Sequence, residues 1–395
     1  MIQSVVLLGS AAGRNAGDAA LMSGIMEAVD LRLQRQVLYK IPTLFPKFVE
    51  ENYRQNRVEA INVMPWTGSL KLLGLPTYQA VTQSDLSLVF DAVLFDRALF
   101  NPMFNFLSSL YFLLPAAKKA GRRVGLYNCG VGPIKTRLGA KMLKTVCDSC
   151  DFITVREEGS ADVLRRIGVA EDKFIVTADA ALNAPGVSEG EIAAIFKKIG
   201  LDPQQEILAI NINKYLNSWS DQSSTHLDVN GFLDLMAAAI NQLSATVHVP
   251  LLLVSTYHGD IELTAELKKR LNVPQPVVAI DNKEYDHYQI KGVLSKVSLL
   301  FAMRLHAMIL ASSSGTPISG LAYQPKVQHY YNQLGIGGAC TNFKKFTSER
   351  ICQFLLDNWE RRQVTREILA REIPILQKKA MIAADCVAEL DAGRP

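Results

Sequence analysis

Short apolar runs alternate with longer stretches of helical period along most of the chain, the pattern of strands threaded through helices. In the first half, residues 4–10, 123–128, 152–155 and 173–177 read as strands, and 137–150 and 160–167 as helices between them. A helical stretch at 189–198 leads into a second set. There, strands are expected at 206–212, 249–255, 277–280, 297–301 and 317–323, with helices at 232–243, 261–271 and 291–294. From about residue 348 the chain reads as two helices with charged outer faces. Strands that are apolar throughout, rather than alternating, imply parallel sheets covered on both faces. The reading is therefore an α/β chain with two Rossmann-like parallel-sheet domains. It comprises an N-terminal domain over 1–185, a C-terminal domain over 186–347 and closing helices over 348–395.

One stretch stands apart. Residues 98–117, ALFNPMFNFLSSLYFLLPAA, carry no charge and run into Lys118, Lys119, Arg122 and Arg123. Prolines, asparagines and serines interrupt them, so the apolar run falls short of the roughly 20 residues that span a bilayer. A buried helix is expected, with an exposed apolar face as the alternative.

Composition narrows the class. With 395 residues, 49% hydrophobic and 20% charged, the chain has material for two cores. A formal net charge of +4 spread over dispersed Lys and Arg carries no nucleic-acid signature. Cys147 and Cys150 form a lone CxxC with no second ligand pair, so reduced thiols are expected rather than a structural metal. The apolar run at 5–8 is short and no Lys or Arg precedes it, which does not describe a signal peptide. The expectation is a cytoplasmic protein with peripheral contact at the inner face of the plasma membrane.

The candidate chemistry gathers at strand ends. In FAMRLHAMILASSSGTPISGLAYQPKV, residues 301–327, a strand passes through a turn into a helix, placing Arg304 and His306 near a helix N-terminus. Backbone N–H groups and the helix dipole favour an anion there, and Arg304 adds a forked donor. Two positions on a regular helix diverge by about 200°, so Arg304 is expected in the turn before the helix if both side chains serve one ligand. Asp18 opens a helix in GSAAGRNAGDAAL, residues 9–21, either as a cap or as a functional carboxylate. In the same segment Gly13 and Gly17 permit close backbone approach, and Asn15 supplies a hydrogen-bonding side chain. His258 and His287, beside Asp260 and Asp286, read as loop residues.

These segments together resemble the polysaccharide pyruvyltransferase family, which includes cell-wall and colanic-acid pyruvyltransferases. Gly13-Arg14-Asn15-Ala16-Gly17-Asp18-Ala19-Ala20-Leu21 is similar to the family's GNxGDxAIL start, and Gly130-Val131-Gly132-Pro133 to its GxGP turn. Thr154-Val155-Arg156-Glu157 with Gly168-Val169, then Thr177-Ala178-Asp179, follow the VRE...GV and TAD elements. Met303-Arg304-Leu305-His306-Ala307 and Tyr323-Gln324-Pro325-Lys326-Val327 match MRLHA and YxPKV. Departures are Ala302, Ala180 and Asn128-Cys129, where the family commonly has Gly, Pro and a preceding Gln. No glycine-rich GGG turn appears near 88–97.

The resemblance implies a GT-B-like fold, two domains facing a central cleft, with acceptor on the N-terminal side and donor on the C-terminal side. It implies phosphoenolpyruvate as donor and no separate cofactor or metal. A pyruvyl group would pass to two hydroxyls of a sugar or lipid-linked saccharide as a cyclic ketal, with release of phosphate. Arg304, Arg156, Leu305, Lys326, Asn15 and Gly17 are the expected substrate-binding residues. His306 is the expected general acid, because an imidazole titrating near neutrality can protonate the enol carbon. Asp18 and Asp179 are the candidate bases for the acceptor hydroxyls. A homo-oligomer is also expected. Two alternatives stand beside this reading: a GT-B glycosyltransferase using a nucleotide sugar, and a non-catalytic subunit of polysaccharide assembly. The aromatics Trp66, Tyr78, Tyr215 and Trp219 are candidates for stacking on sugar rings.

Overall fold

Runs of four or five mostly apolar residues buried on both faces, such as Leu86–Val89, Leu251–Ser255 and Leu299–Ala302, form the centres of two parallel sheets. They are seen in a computed structural model that describes residues 1–11, 13–53, 55–214, 228–322, 324–342 and 347–393. The chain divides into two compact units. The N-terminal unit takes residues 1–13, 18–185 and 376–395, and the C-terminal unit takes 14–17 and 186–375. The divide between them falls between Pro185 and Gly186. The closing helices, Ser348–Glu360 and Arg362–Asp391, are not a unit of their own: the second is shared between the two.

The N-terminal unit holds β1 (Ser4–Leu8), β2 (Leu38–Thr43), β3 (Arg57–Asn62), the hairpin β4 (Ser69–Leu70) and β5 (Leu73–Gly74), β6 (Leu86–Val89), β7 (Arg123–Cys129), β8 (Phe152–Val155) and β9 (Ile175–Val176). Seven of these form one sheet in the order β3-β2-β1-β6-β7-β8-β9. The order reverses between β1 and β6, the kind of switch point where α/β sheets bind ligands. Arg57 and Glu59 lie on the outermost strand β3, where charge discourages edge-to-edge pairing. The C-terminal unit holds β10 (Leu208–Asn211), β11 (Leu251–Ser255), β12 (Val277–Asp281), β13 (Leu299–Ala302), β14 (Ile318–Ala322) and β15 (Cys340–Asn342). Their order, β12-β11-β10-β13-β14-β15, places a second switch point between β10 and β13.

The structure departs from the sequence reading where local chemistry overrides pattern. Of the span 173–177 only Ile175–Val176 is strand, and Lys173 closes the 3-10 turn Glu171–Lys173 before it. His287 is helical, because Asp286 closes a capping box with Gln289 and starts the helix His287–Leu294 there. Both His287 and Lys291 are buried along that helix. In 98–117 the helix begins only at Phe106, where the Asn105 side chain accepts the Ser108 N–H. That asparagine is fully buried, and its amide also donates to the Phe95 and Arg97 carbonyls at 2.8 and 2.9 Å. Among the described residues no helix is long and apolar enough to cross a membrane.

Two stability predictions follow from these buried groups. Asn105→Ala removes the cap and strands two carbonyls, so a loss of about 2 kcal/mol is expected, read as a lowered unfolding midpoint. An unchanged midpoint would contradict this role for Asn105. Burial pulls the Lys291 pKa down from 10.5 to about 8 and, with the Lys291 charge, the His287 pKa down to about 3. Between about pH 8 and 10.5 the unfolded chain therefore binds more protons at Lys291 than the folded chain. Stability should rise with pH across that window. Lys291→Met should lose this rise when both proteins are titrated by denaturant unfolding.

Candidate functional site

The C-terminal switch point is built from the ends of three neighbouring strands. β13 ends at Ala302, Met303 is buried, and Arg304 is the N-cap of the helix Leu305–Ser312 with extended φ −85° and ψ 125°. Arg304 thus lies in the turn before the helix and His306 in its first turn, so the divergence of two helical positions does not separate them. Asn211, at the end of β10, ties this turn down. Its Oδ1 accepts the Arg304 N–H at 3.1 Å, its carbonyl accepts the Met303 N–H at 3.0 Å, and its Nδ2 donates to the Val254 carbonyl of β11 at 2.8 Å.

The guanidinium is held on its edge and on its face. Arg304 Nε donates to Asp260 Oδ2 in an ion pair, and the guanidinium lies 4.5 Å from the Tyr257 ring centroid. Asp260 is fully buried, and its other oxygen accepts the Lys214 N–H at 3.0 Å. A planar cation gripped this way keeps one orientation. The motif segment 14–17 completes the same unit. Ala16 N–H donates to the Thr256 carbonyl at 2.9 Å and His258 N–H to the Arg14 carbonyl at 3.0 Å, while Asn15 bridges Tyr257 in antiparallel fashion. These bonds lock the segment to the loop that carries Tyr257 and Asp260.

Asn15, not Asp18, caps the first turn of the helix Ala16–Leu33: its Oδ1 accepts the Gly17 N–H at 3.0 Å. Asp18 stands in that first turn and accepts a hydrogen bond from Ser10 Oγ at 2.7 Å. Gly17 has a local reason to lack a side chain. A methyl group built there would fall within the imidazole of His306. Asn15, Gly17, Arg304 and His306 are therefore assembled around one loop, with Tyr257 between Asn15 and Arg304. Leu305 is buried, so its exposed chemistry is that of a backbone group in a first helical turn. Lys326 is half-buried in the first turn of Pro325–Gln333, after β14, which pairs with β13. Parallel neighbours put both helix starts at the same sheet edge.

Arg156 and Asp179 form the equivalent feature of the N-terminal unit. Arg156 follows β8 and its Nη1 donates to Asp179 Oδ2 at 2.9 Å, with both residues buried. Burial is the largest single influence and works against the charged guanidinium, but the nearby Asp179, Glu157 and Asp91 together outweigh it, and the Arg156 pKa is raised. Asp179 Oδ1 accepts the Ala181 N–H at 3.0 Å, capping the 3-10 turn Ala180–Asn183. Gly130 of the GxGP turn gives Arg156 room: a Cβ there would lie 3.0 Å from Nη2. Asn128 has positive φ, 47°, and its side chain accepts from Thr177 Oγ1 at 2.6 Å and donates to the Ala380 carbonyl at 2.9 Å. Asparagine tolerates that backbone better than most residues.

Sequence reasoning missed Tyr257 and Asn211 and set Asp260 aside. The only signal was their position after the strands β10 and β11. His258, in a 3-10 turn, has its pKa lowered chiefly by burial. Tyr323 and the aromatics Tyr215 and Trp219 lie outside the described residues, while Trp66 and Tyr78 are exposed. Cys147 and Cys150 are free cysteines whose thiol pKa values burial pushes up, that of Cys147 to about 12.

The family model for polysaccharide pyruvyl transferase matches residues 15–325, from the Asn15 turn through β14 to the start of the Lys326 helix. The chain belongs to that family. The amylovoran biosynthesis protein AmsJ of Erwinia amylovora is 22% identical over 92% of this chain and 95% of its own length. Among solved structures, UDP-GlcNAc 2-epimerase from Neisseria meningitidis, bound to UDP-GlcNAc, is similar with a TM-score of 0.65 and 12% identity over 98% of this chain and 99% of that one. Anabaena HepE in complex with UDP and glucose has a TM-score of 0.61 and 14% identity over the whole of both chains. At such identities these likenesses establish the fold of this family member, which is GT-B-like α/β.

The Gly17 contact yields a direct test. Gly17→Ala should displace the His306 ring and shift its imidazole C–H resonances while the rest of the NMR spectrum is kept. Unmoved His306 resonances would mean that the two do not touch.

Proposed function

We propose that this pyruvyl transferase family member takes phosphoenolpyruvate as donor and builds a cyclic ketal on two hydroxyls of a saccharide acceptor. The observation that carries the reading is the clamped Arg304 at the C-terminal switch point, with His306 in the following helical turn. Phosphoenolpyruvate presents a phosphate and a carboxylate on adjacent positions, and an oriented guanidinium beside a helix N-terminus suits one of them. Lys326, at the neighbouring helix start on the same edge, supplies a point charge for the other. Exopolysaccharide biosynthesis is the setting that the likeness to AmsJ supports.

His306 protonates C3 of the enol, and C2 becomes electrophilic. The first acceptor hydroxyl attacks C2 and gives its proton to a base. The second hydroxyl then attacks as the C2–O bond to phosphate breaks, and its proton leaves with the phosphate. Two C–O bonds form, one C–O bond breaks, and the protons balance without an added reductant or oxidant. Asp18 and Asp179 are the candidate bases: Asp18 accepts from Ser10 Oγ, and Asp179 accepts from Arg156 and from the Ala181 N–H. In this scheme Asp179 orients Arg156.

Calorimetric titration separates the roles. Phosphoenolpyruvate should bind saturably to the unsubstituted protein and at least about thirtyfold more weakly to folded Arg304→Ala, the worth of a charge-assisted hydrogen bond of roughly 2 kcal/mol. His306→Gln should bind the donor within about threefold yet lose a hundredfold or more in phosphate release with acceptor present. Binding of UDP-, GDP- or CMP-sugars in place of phosphoenolpyruvate would overturn the donor assignment.

A further inference from the structure

Two segments of the N-terminal unit present large apolar side chains to solvent, and neither takes part in the chemistry above. In the first, 64–78, Trp66 is 74% exposed, and Leu70, Leu75 and Tyr78 are also exposed. In the second, which opens the long uncharged stretch, Phe100 is 80% exposed, with Met103 and Phe104 beside it. The segments touch. Lys71 Nζ donates to the Met103 carbonyl at 3.1 Å and lies 4.2 Å from the Phe106 ring centroid.

The surface continues along the helix Phe106–Lys119. Its inner positions, among them Leu107, Leu110 and Leu114, are buried in the core. As far as Ala116 its outer stripe is Ser108, Tyr111, Phe112, Pro115 and Ala116, without a charge, and Phe112 is 59% exposed; the exposed Lys118 and Lys119 end the helix. A water-facing helix stripe is ordinarily polar. This one is not.

Charge selects the occupant. From Arg97 to Cys147 the sequence has nine Lys or Arg and no Asp or Glu; Lys118, Arg122 and Lys144 pair with Asp151, Asp85 and Asp148 outside that span, which leaves six in excess. From Ala60 to Ser84 it has Lys71 alone and no carboxylate. The cations sit beside the apolar side chains. Arg97 lies over the Phe104 ring, and Asp96 Oδ2 accepts the Lys135 and Thr136 N–H groups at 2.7 and 2.6 Å. Those bonds bring the exposed Lys135 and Arg137 to the loop that bears Phe100.

We infer that this face docks on the surface of an anionic lipid bilayer. Aromatic side chains enter the headgroup and acyl boundary while Lys and Arg meet the phosphates. Because no described helix is long and apolar enough to cross, the face lies on the bilayer and does not span it. A second copy of the chain suits it poorly, since a twofold interface would set the same cations against one another. Docking here is independent of the pyruvyl chemistry.

The test is vesicle binding by the full chain, with equal parts phosphatidylcholine and phosphatidylglycerol set against phosphatidylcholine alone. Retention should require phosphatidylglycerol and weaken with salt. Trp66 fluorescence should be quenched by lipids brominated near the headgroup, and that component should vanish in Trp66→Phe. Phe100→Ser with Phe112→Ser, at an unchanged unfolding temperature, should weaken binding about tenfold or more. The inference is overturned by absence of retention on the anionic vesicles at low salt, or by retention with Trp66 unquenched and the double variant unaffected. It is overturned equally by a concentration-dependent dimer that the double variant abolishes and that excludes vesicles. The quenching result needs no core substitution, so misfolding of the double variant leaves the test intact.

Discussion

The ion pair between Arg304 and Asp260 is the constraint on which the C-terminal sheet edge depends. Asp260 is fully buried and Arg304 nearly so, and removing either partner would leave the other charged in a low-dielectric setting at a cost of about 3–5 kcal/mol. The pair is worth little as net stability, because both charges were taken out of water to form it. Its value is geometric. It fixes the guanidinium against Tyr257, and through Tyr257 it is joined to the Asn15 turn and to the Gly17 contact on His306. A cation whose orientation is set before ligand arrives needs little rearrangement on binding.

The N-terminal unit uses the same device. Arg156, like Arg304, follows a buried parallel strand and is paired with a buried carboxylate, here Asp179. In both units a glycine gives a charged or titratable side chain its room, Gly130 for Arg156 and Gly17 for His306. The family's short motifs can therefore be understood as packing statements. Glycine is needed where a charged or titratable side chain lies against the backbone, and aspartate where an arginine must be turned.

Much of this was legible in the sequence. The strands expected at 152–155 and 249–255 and the helices at 137–150 and 261–271 are found at 152–155, 251–255, 137–148 and 261–270, because buried strands and amphipathic helices leave distinct patterns. Arg304 in the turn before its helix followed from the angular separation of helical residues. The region from Leu38 to Gln83 was not read, since its half-exposed strands and short helices give weak periodicity. Asp260 was named but set aside, and Tyr257 and Asn211 escaped notice. Their roles arise from pairing between residues tens of positions apart, which no local pattern encodes. Asn15 takes the capping role read for Asp18 for a local reason: the helix starts at Ala16, three residues earlier than a cap at Asp18 would require.

In the proposed reaction the guanidinium clamped by Asp260 is the anion subsite for phosphoenolpyruvate, and His306 faces its enol carbon. A structure of the protein saturated with phosphoenolpyruvate tests this most directly. A phosphate or carboxylate oxygen is expected about 3 Å from an Arg304 nitrogen, with C3 within about 3.5 Å of the His306 ring. Phosphoenolpyruvate bound away from Arg304, or His306 turned from C3, would contradict it.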